Sequence, residues 1–166
     1  MTIFAHQNLH VINELIDLFL LSISPLGEAK VAIPIFISKD ISIHLVLLVG
    51  LLGNLLIYPL FYKLIEISNK RLLNNKVYKK YATLLSIRAR KKTKAIVKKY
   101  GLWGLMIFVM IPIPFTGAYI GTIAAYIFKT DYKRSFYAIS VGLLVSCTVI
   151  AYLGNAINEY FISTLM

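Results

Sequence analysis

Four stretches of this chain are apolar enough to lie in a bilayer, and only two of them read as straight spans. Residues 42 to 62 run 21 positions without a charge. As a helix that is about 31 Å, matched to a hydrocarbon core of about 30 Å. Ser135 to Ile157 is the second such run. The other two are broken near their middles. Residues 9 to 37 are interrupted by Ser24-Pro-Leu-Gly-Glu-Ala-Lys30 and again by Pro34, and residues 101 to 128 by Pro112, Pro114 and Gly117. As one helix the first would reach about 43 Å, too long for one crossing, while the halves of the second reach about 21 Å each, too short for two. The pattern predicts a re-entrant hairpin in each, turning at Pro25-Leu26-Gly27 and around Pro112-Ile-Pro114. A single span kinked at proline, with its glycines as a packing face, is the competing geometry.

Between the halves, residues 63 to 99 place Leu73, Val77, Tyr81, Leu84 and Leu85 three and four apart among Lys70, Arg71, Lys76, Lys79, Lys80 and the cluster Arg88 to Lys94. This spacing predicts one basic amphipathic helix, uninterrupted by Pro or Gly until Gly101.

Composition agrees with the pattern. Hydrophobic residues make up 58% of 166 positions and mean hydropathy is +0.74, which indicates a single-domain integral membrane protein. The net charge of +11 is uneven: 13 of 18 basic residues lie between Lys63 and Lys99, with Glu66 the sole acid there. In a soluble chain this would raise nucleic-acid binding. Between membrane segments it marks a cytoplasmic loop facing anionic lipid, and nucleic acid is not expected as a partner.

Charge also separates the two topologies. With two re-entrant hairpins, Lys129, Lys133 and Arg134 fall on the same side as the basic helix; with four simple crossings they fall opposite it. The hairpin arrangement is therefore preferred, with both termini outside. Each half then repeats one plan: a broken hairpin, a short polar link holding one Asp (Asp40, Asp131), and a span. The expected fold class is an all-α polytopic membrane protein of two inverted repeats, about 9–62 and 100–158, each a re-entrant helical hairpin plus one transmembrane helix, joined by the helix 63–99. Two spans enclose little of a pathway, so a homo-oligomer, a dimer, is expected in the cell membrane.

The candidate chemistry is sparse. Glu28 is an ionisable group at membrane depth, the kind of residue that takes up protons or contacts substrate; capping a helix or pairing with Lys30 is the plainer role. Lys30 either pairs with that acid or snorkels to water. Asn54, beside Gly53 in the first span, suits bonding between helices. Pro112 and Pro114 free backbone carbonyls and Gly117 allows close approach, so helix ends there could bind ions or polar groups. Ser146, Cys147 and Thr148 read as packing residues. His6, His10 and His44 have no metal spacing, and there is neither a Gly-rich phosphate loop nor a nucleophile–base pair. No enzyme activity, metal or cofactor is expected. An N-terminus without a basic n-region, carrying Glu14 and Asp17, argues against a cleaved signal peptide.

Pro25-Leu-Gly-Glu-Ala-Lys-Val-Ala-Ile-Pro34 and Ile111-Pro-Ile-Pro-Phe-Thr-Gly-Ala-Tyr-Ile-Gly121 resemble two signatures of the small multidrug export protein family. The region from Lys99 through Gly154 is similar, more distantly, to the DedA or SNARE-associated (VTT) superfamily, which shares the plan of two opposed re-entrant hairpins. The resemblance covers residues 15 to 157. It implies a transporter of a small or amphipathic substrate, proton-coupled through Glu28, with Glu28, Pro34, Pro112, Pro114, Thr116 and Gly117 at signature positions. Its alternatives are a DedA-type lipid translocase and a non-transporting membrane scaffold. DedA proteins place an arginine beside the second proline motif; Met110 to Gly121 holds no cation, which speaks against a phosphorylated lipid.

Overall fold

The structure is a computed structural model that describes residues 2–25, 27–39, 41–72, 76–113 and 117–165. Its elements are α1 (Thr2–Ile23), α2 (Glu28–Ile37), α3 (Ile43–Leu72), α4 (Lys76–Met110), α5 (Ala118–Ile127) and α6 (Tyr132–Leu165). No strand occurs among the described residues.

Two of these helices are long and apolar enough to cross a bilayer. Ile43–Asn69 and Tyr132–Phe161 have mean hydropathies of 2.1 and 2.0, and each is only 33% buried. The outward face of α3 carries Leu48, Leu52, Leu56 and Leu60, one per turn and all exposed. So large an exposed apolar surface is stable against lipid and not against water. The chain is a membrane protein. Both helices outrun their expected limits of 62 and 157, because nothing after Lys63 or Ile157 stops a helix and polar residues can continue it into the interface. α3 also passes through Pro59 without breaking.

Each broken stretch folds back on itself. Lys39 at the end of α2 bonds Glu14 of α1, Nζ to Oε2 at 2.5 Å, which requires the two helices to run antiparallel. In the second stretch Gly121 of α5 lies against Val109 of α4. At 10 residues apiece, α2 and α5 are about 15 Å long, half a hydrocarbon core. α1 is longer than the expected leg, since it starts at Thr2 instead of residue 9.

The basic segment differs from its expected form. It is not one helix over 63–99: its first ten residues extend α3 to Leu72, and α4 begins at Lys76. Leu73 lies outside the described residues. Gly101 has φ 58 and ψ −128, a left-handed bend that separates the basic part of α4 from the apolar Lys99–Met110 part. Only glycine takes that conformation without strain.

The two halves interleave. α1 packs on α3 and α4 on α6, but α2 also packs on α6 and α5 on α3. One core joins Leu18, Ile33 and Val46 to Cys147 and Ala151 of the second half; the other joins Leu105, Val109 and Ile139 to Ile57 and Tyr58 of the first. Tyr58 is 1% exposed, its hydroxyl donates to the Tyr132 carbonyl at 3.1 Å, and its ring packs on Tyr62, Tyr132 and Phe136. At the start of α6, Asp131 accepts a bond from the Arg134 amide at 2.9 Å and caps the helix.

A close helix crossing lies between α4 and α6, where a Cβ on Gly142 would stand 2.7 Å from the Met106 carbonyl oxygen. Gly142→Ala should destabilise the protein by about 1–3 kcal/mol, the usual penalty of overpacking. Gly154→Ala should be nearly neutral, because its Cβ would meet Ile37 at an ordinary 3.5 Å. Unfolding in detergent monitored by circular dichroism compares the two; equal losses would show that the crossing is not tightly packed.

Candidate functional site

The site follows from where the helices stop. α1 ends at Ile23, α2 begins at Glu28, α4 ends at Met110 and α5 begins at Ala118. Every such end leaves backbone carbonyls or amides without helical partners. In hydrocarbon each orphan costs several kcal/mol, so it must find a partner within the protein.

Each hairpin supplies the partners for the other. Lys30 Nζ, on α2, donates to the carbonyl oxygens of Val109 and Ile111, both at 2.9 Å. A cation thus sits at the negative end of α4. In return, the backbone amides of Gly117 and Tyr119 point at the Glu28 carboxyl group, which places an acid at the positive start of α5. The Tyr119 hydroxyl donates to the Ile23 carbonyl and satisfies the end of α1. Glu28 and Lys30 are 2% and 4% exposed. Two oppositely charged side chains, two residues apart, hold opposite poles of the facing helix ends, and they also interact electrostatically with one another.

The approach is tight. A Cβ on Gly117 would come within 2.5 Å of Glu28 Oε2, so glycine is required for the carboxylate to reach the α5 amides. Glu28 has φ 42, a left-handed backbone that costs a non-glycine residue of order 1–3 kcal/mol. Strain of that kind persists where surrounding contacts dictate it, and here both neighbouring hairpin ends do.

Around this junction lies a buried polar cluster with bonds to spare. Ser22, Asn54, Ser146 and Cys147 are all fully buried. Ser22 packs against Gly53 of α3, Asn54 follows that glycine, and Cys147 lies against Asn54 and feels the charges of both Lys30 and Glu28. Thiol sulfur is a weak partner. Otherwise, among the described residues, both amide atoms of Asn54, the Ser22 hydroxyl and Glu28 Oε2 make no hydrogen bond. Buried polar atoms are usually satisfied, so four on three neighbouring residues mark a place suited to a polar guest.

The expected site residues divide accordingly. Glu28, Lys30 and Gly117 meet, and Asn54 joins them through Cys147. Pro112 stays exposed in the link after α4, and Pro34 is exposed where α2 passes Gly154. Pro114 and Thr116 lie outside the described residues, as does Asp40. Lys30 neither snorkels nor serves only as a counter-ion; it is a helix cap. The cation missing from Met110–Gly121 is supplied across the interface by this lysine. Nothing local marks Ser22, Tyr119 and Cys147 as site residues, because a hydroxyl or thiol in an apolar run does not reveal what it will meet.

Lys30→Met should destabilise the junction by about 3–5 kcal/mol, because two helix-end carbonyls lose their donor and Glu28 loses its buried counter-charge. Gly117→Ala should also destabilise, and pairing it with Glu28→Ala should restore part of the loss, because the clash is with that carboxylate. Additive losses in the double variant, read from thermal unfolding, would contradict the contact.

No curated relative and no solved structure matches the chain. Residues 28–149, which span Glu28, Lys30, Asn54 and the whole second hairpin, match the family described as Putative small multi-drug export protein, and the chain belongs to that family.

Proposed function

We propose that this chain is a multi-pass transporter of the cell membrane, with two inverted re-entrant hairpins whose tips form the transport site. It moves a small or amphipathic substrate, and a proton exchanges at Glu28. The observation that carries the reading is a buried acid with one oxygen that makes no hydrogen bond among the described residues, near a Ser equally without one and an Asn bonded to a thiol. An intramembrane carboxylate in such a setting is a functional site by default. The short helices α2 and α5, the interleaved packing of the halves, and the family description all support transport. On this reading the basic part of α4 lies on the anionic cytoplasmic leaflet, both termini are outside, and a dimer completes the pathway. The chain works on its substrate by moving it and not by chemical conversion.

The test is ethidium efflux from proteoliposomes under an imposed pH gradient. Wild-type protein should move the dye at a gradient-dependent rate, and Glu28→Gln should lower that rate at least tenfold while retaining the fold by circular dichroism. Equal gradient-driven rates at every pH would sink proton exchange at Glu28. Topology has a separate test. In a Cys147→Ser background, Asp131→Cys should react with an impermeant maleimide only from the cytoplasmic side; labelling from outside intact cells would overturn the double-hairpin arrangement.

A further inference from the structure

A second space lies away from the hairpin tips, between the last turns of α3, the basic part of α4 and the end of α5. Its volume is about 690 Å³. Three helix stripes wall it. Leu64, Ile65 and Ser68 come from α3, and Ile123 and Ile127 from α5. From α4 come Lys79, Ala82, Thr83, Ser86 and Arg90, three and four apart and so on one face. The reason for the space is legible in that face. Its central side chains are Ala, Thr and Ser, too short to interdigitate with the leucine and isoleucine opposite.

The walls are apolar and the rim is cationic. Lys79, Arg90 and Lys129 all border the groove, and no carboxylate does among the described residues. The volume falls within the roughly 300–1,000 Å³ typical of ligand sites. It lies at the end of a membrane span where the chain's positive charge is concentrated, the side that faces anionic lipid headgroups.

We propose that this groove holds one anionic phospholipid of the surrounding leaflet. Its phosphate lies among Lys79, Arg90 and Lys129, and one acyl chain runs along Leu64, Ile65, Ile123 and Ile127. This is a shaped site of fixed stoichiometry, distinct from the general attraction of a basic helix to a charged surface. It uses none of the residues at the hairpin tips, so it stands whether or not Glu28 carries protons.

The test is native mass spectrometry of the full chain, purified in dodecyl maltoside and offered equal amounts of phosphatidylglycerol and phosphatidylcholine with the same acyl chains. One phosphatidylglycerol per chain should be retained in preference. Lys79→Gln, Arg90→Gln and Lys129→Gln alter exposed side chains, and each should lower that preference about fivefold. Lys80→Gln removes an exposed cation that does not border the groove and should leave the preference unchanged. Ser86→Trp, which fills the groove and keeps its cations, should abolish retention. An equal loss in Lys80→Gln, or full retention in Ser86→Trp, would reduce the effect to surface attraction and overturn the site. Binding of oleate but not of phosphatidylglycerol would overturn the phospholipid assignment in favour of a soluble amphipathic anion.

Discussion

A helix end at membrane depth could not be left bare, and this protein brings four helix ends near one another. A surface helix end turns its spare carbonyls and amides to water; an end at membrane depth has only other protein groups. Here the partners come from the opposite half of the chain. Lys30 closes α4, the Tyr119 hydroxyl closes α1, and Glu28 faces the opening amides of α5. The two broken stretches thus complete one another's helix ends, and α2 packs on α6 while α5 packs on α3.

That requirement sets the rest of the architecture. The crossing hairpins need backbones to approach closely, and small residues stand where they do: Gly53 beside Ser22 and Phe19, Gly121 beside Val109 and Ile139, Gly142 beside Met106 and Val109. Packing between such surfaces replaces the hydrophobic effect, which is absent between helices already in lipid. The exposed face of α3 remains leucine-rich, and that of α6 carries Val141, Leu144, Val149 and Leu153, because lipid is their solvent. Beyond Gly101, toward the basic part of α4, the packing loosens into a groove.

Much of this was legible in the sequence because length is a hard constraint in a bilayer. Residues 9 to 37 read as too long for one span and 101 to 128 as too short for two, and helices do end at Ile23 and Met110 and begin again at Glu28 and Ala118, beside the prolines and glycines of each stretch. What stayed hidden depended on contacts across about eighty residues. Lys30 offered two local roles, ion pair or snorkel, and took a third whose acceptors are Val109 and Ile111. The motif around Pro112 looked devoid of cations because its cation is written in the other half. Cys147 looked like a packing residue, and it is buried, but within reach of the charges of Lys30 and Glu28. The end of α3 was misplaced for a simpler reason: hydropathy reports where the hydrocarbon ends and not where a helix does.

Glu28 joins the structural role to the proposed one. As a carboxylate it is held at the start of α5 by two amides and the dipole of that helix. A proton, or a cationic substrate in its place, would neutralise the charge and weaken that hold, while Lys30 would keep its grip on α4. Charge-assisted hydrogen bonds contribute about 1.5–3 kcal/mol each. Losing about 2 kcal/mol would shift the balance between joined and parted tips roughly thirtyfold. A residue that merely capped a helix would be better served by a short, unstrained Asp or Ser. The strained backbone at Glu28 and its one unpaired oxygen make sense if the contact between the tips is one that the transport cycle breaks and remakes.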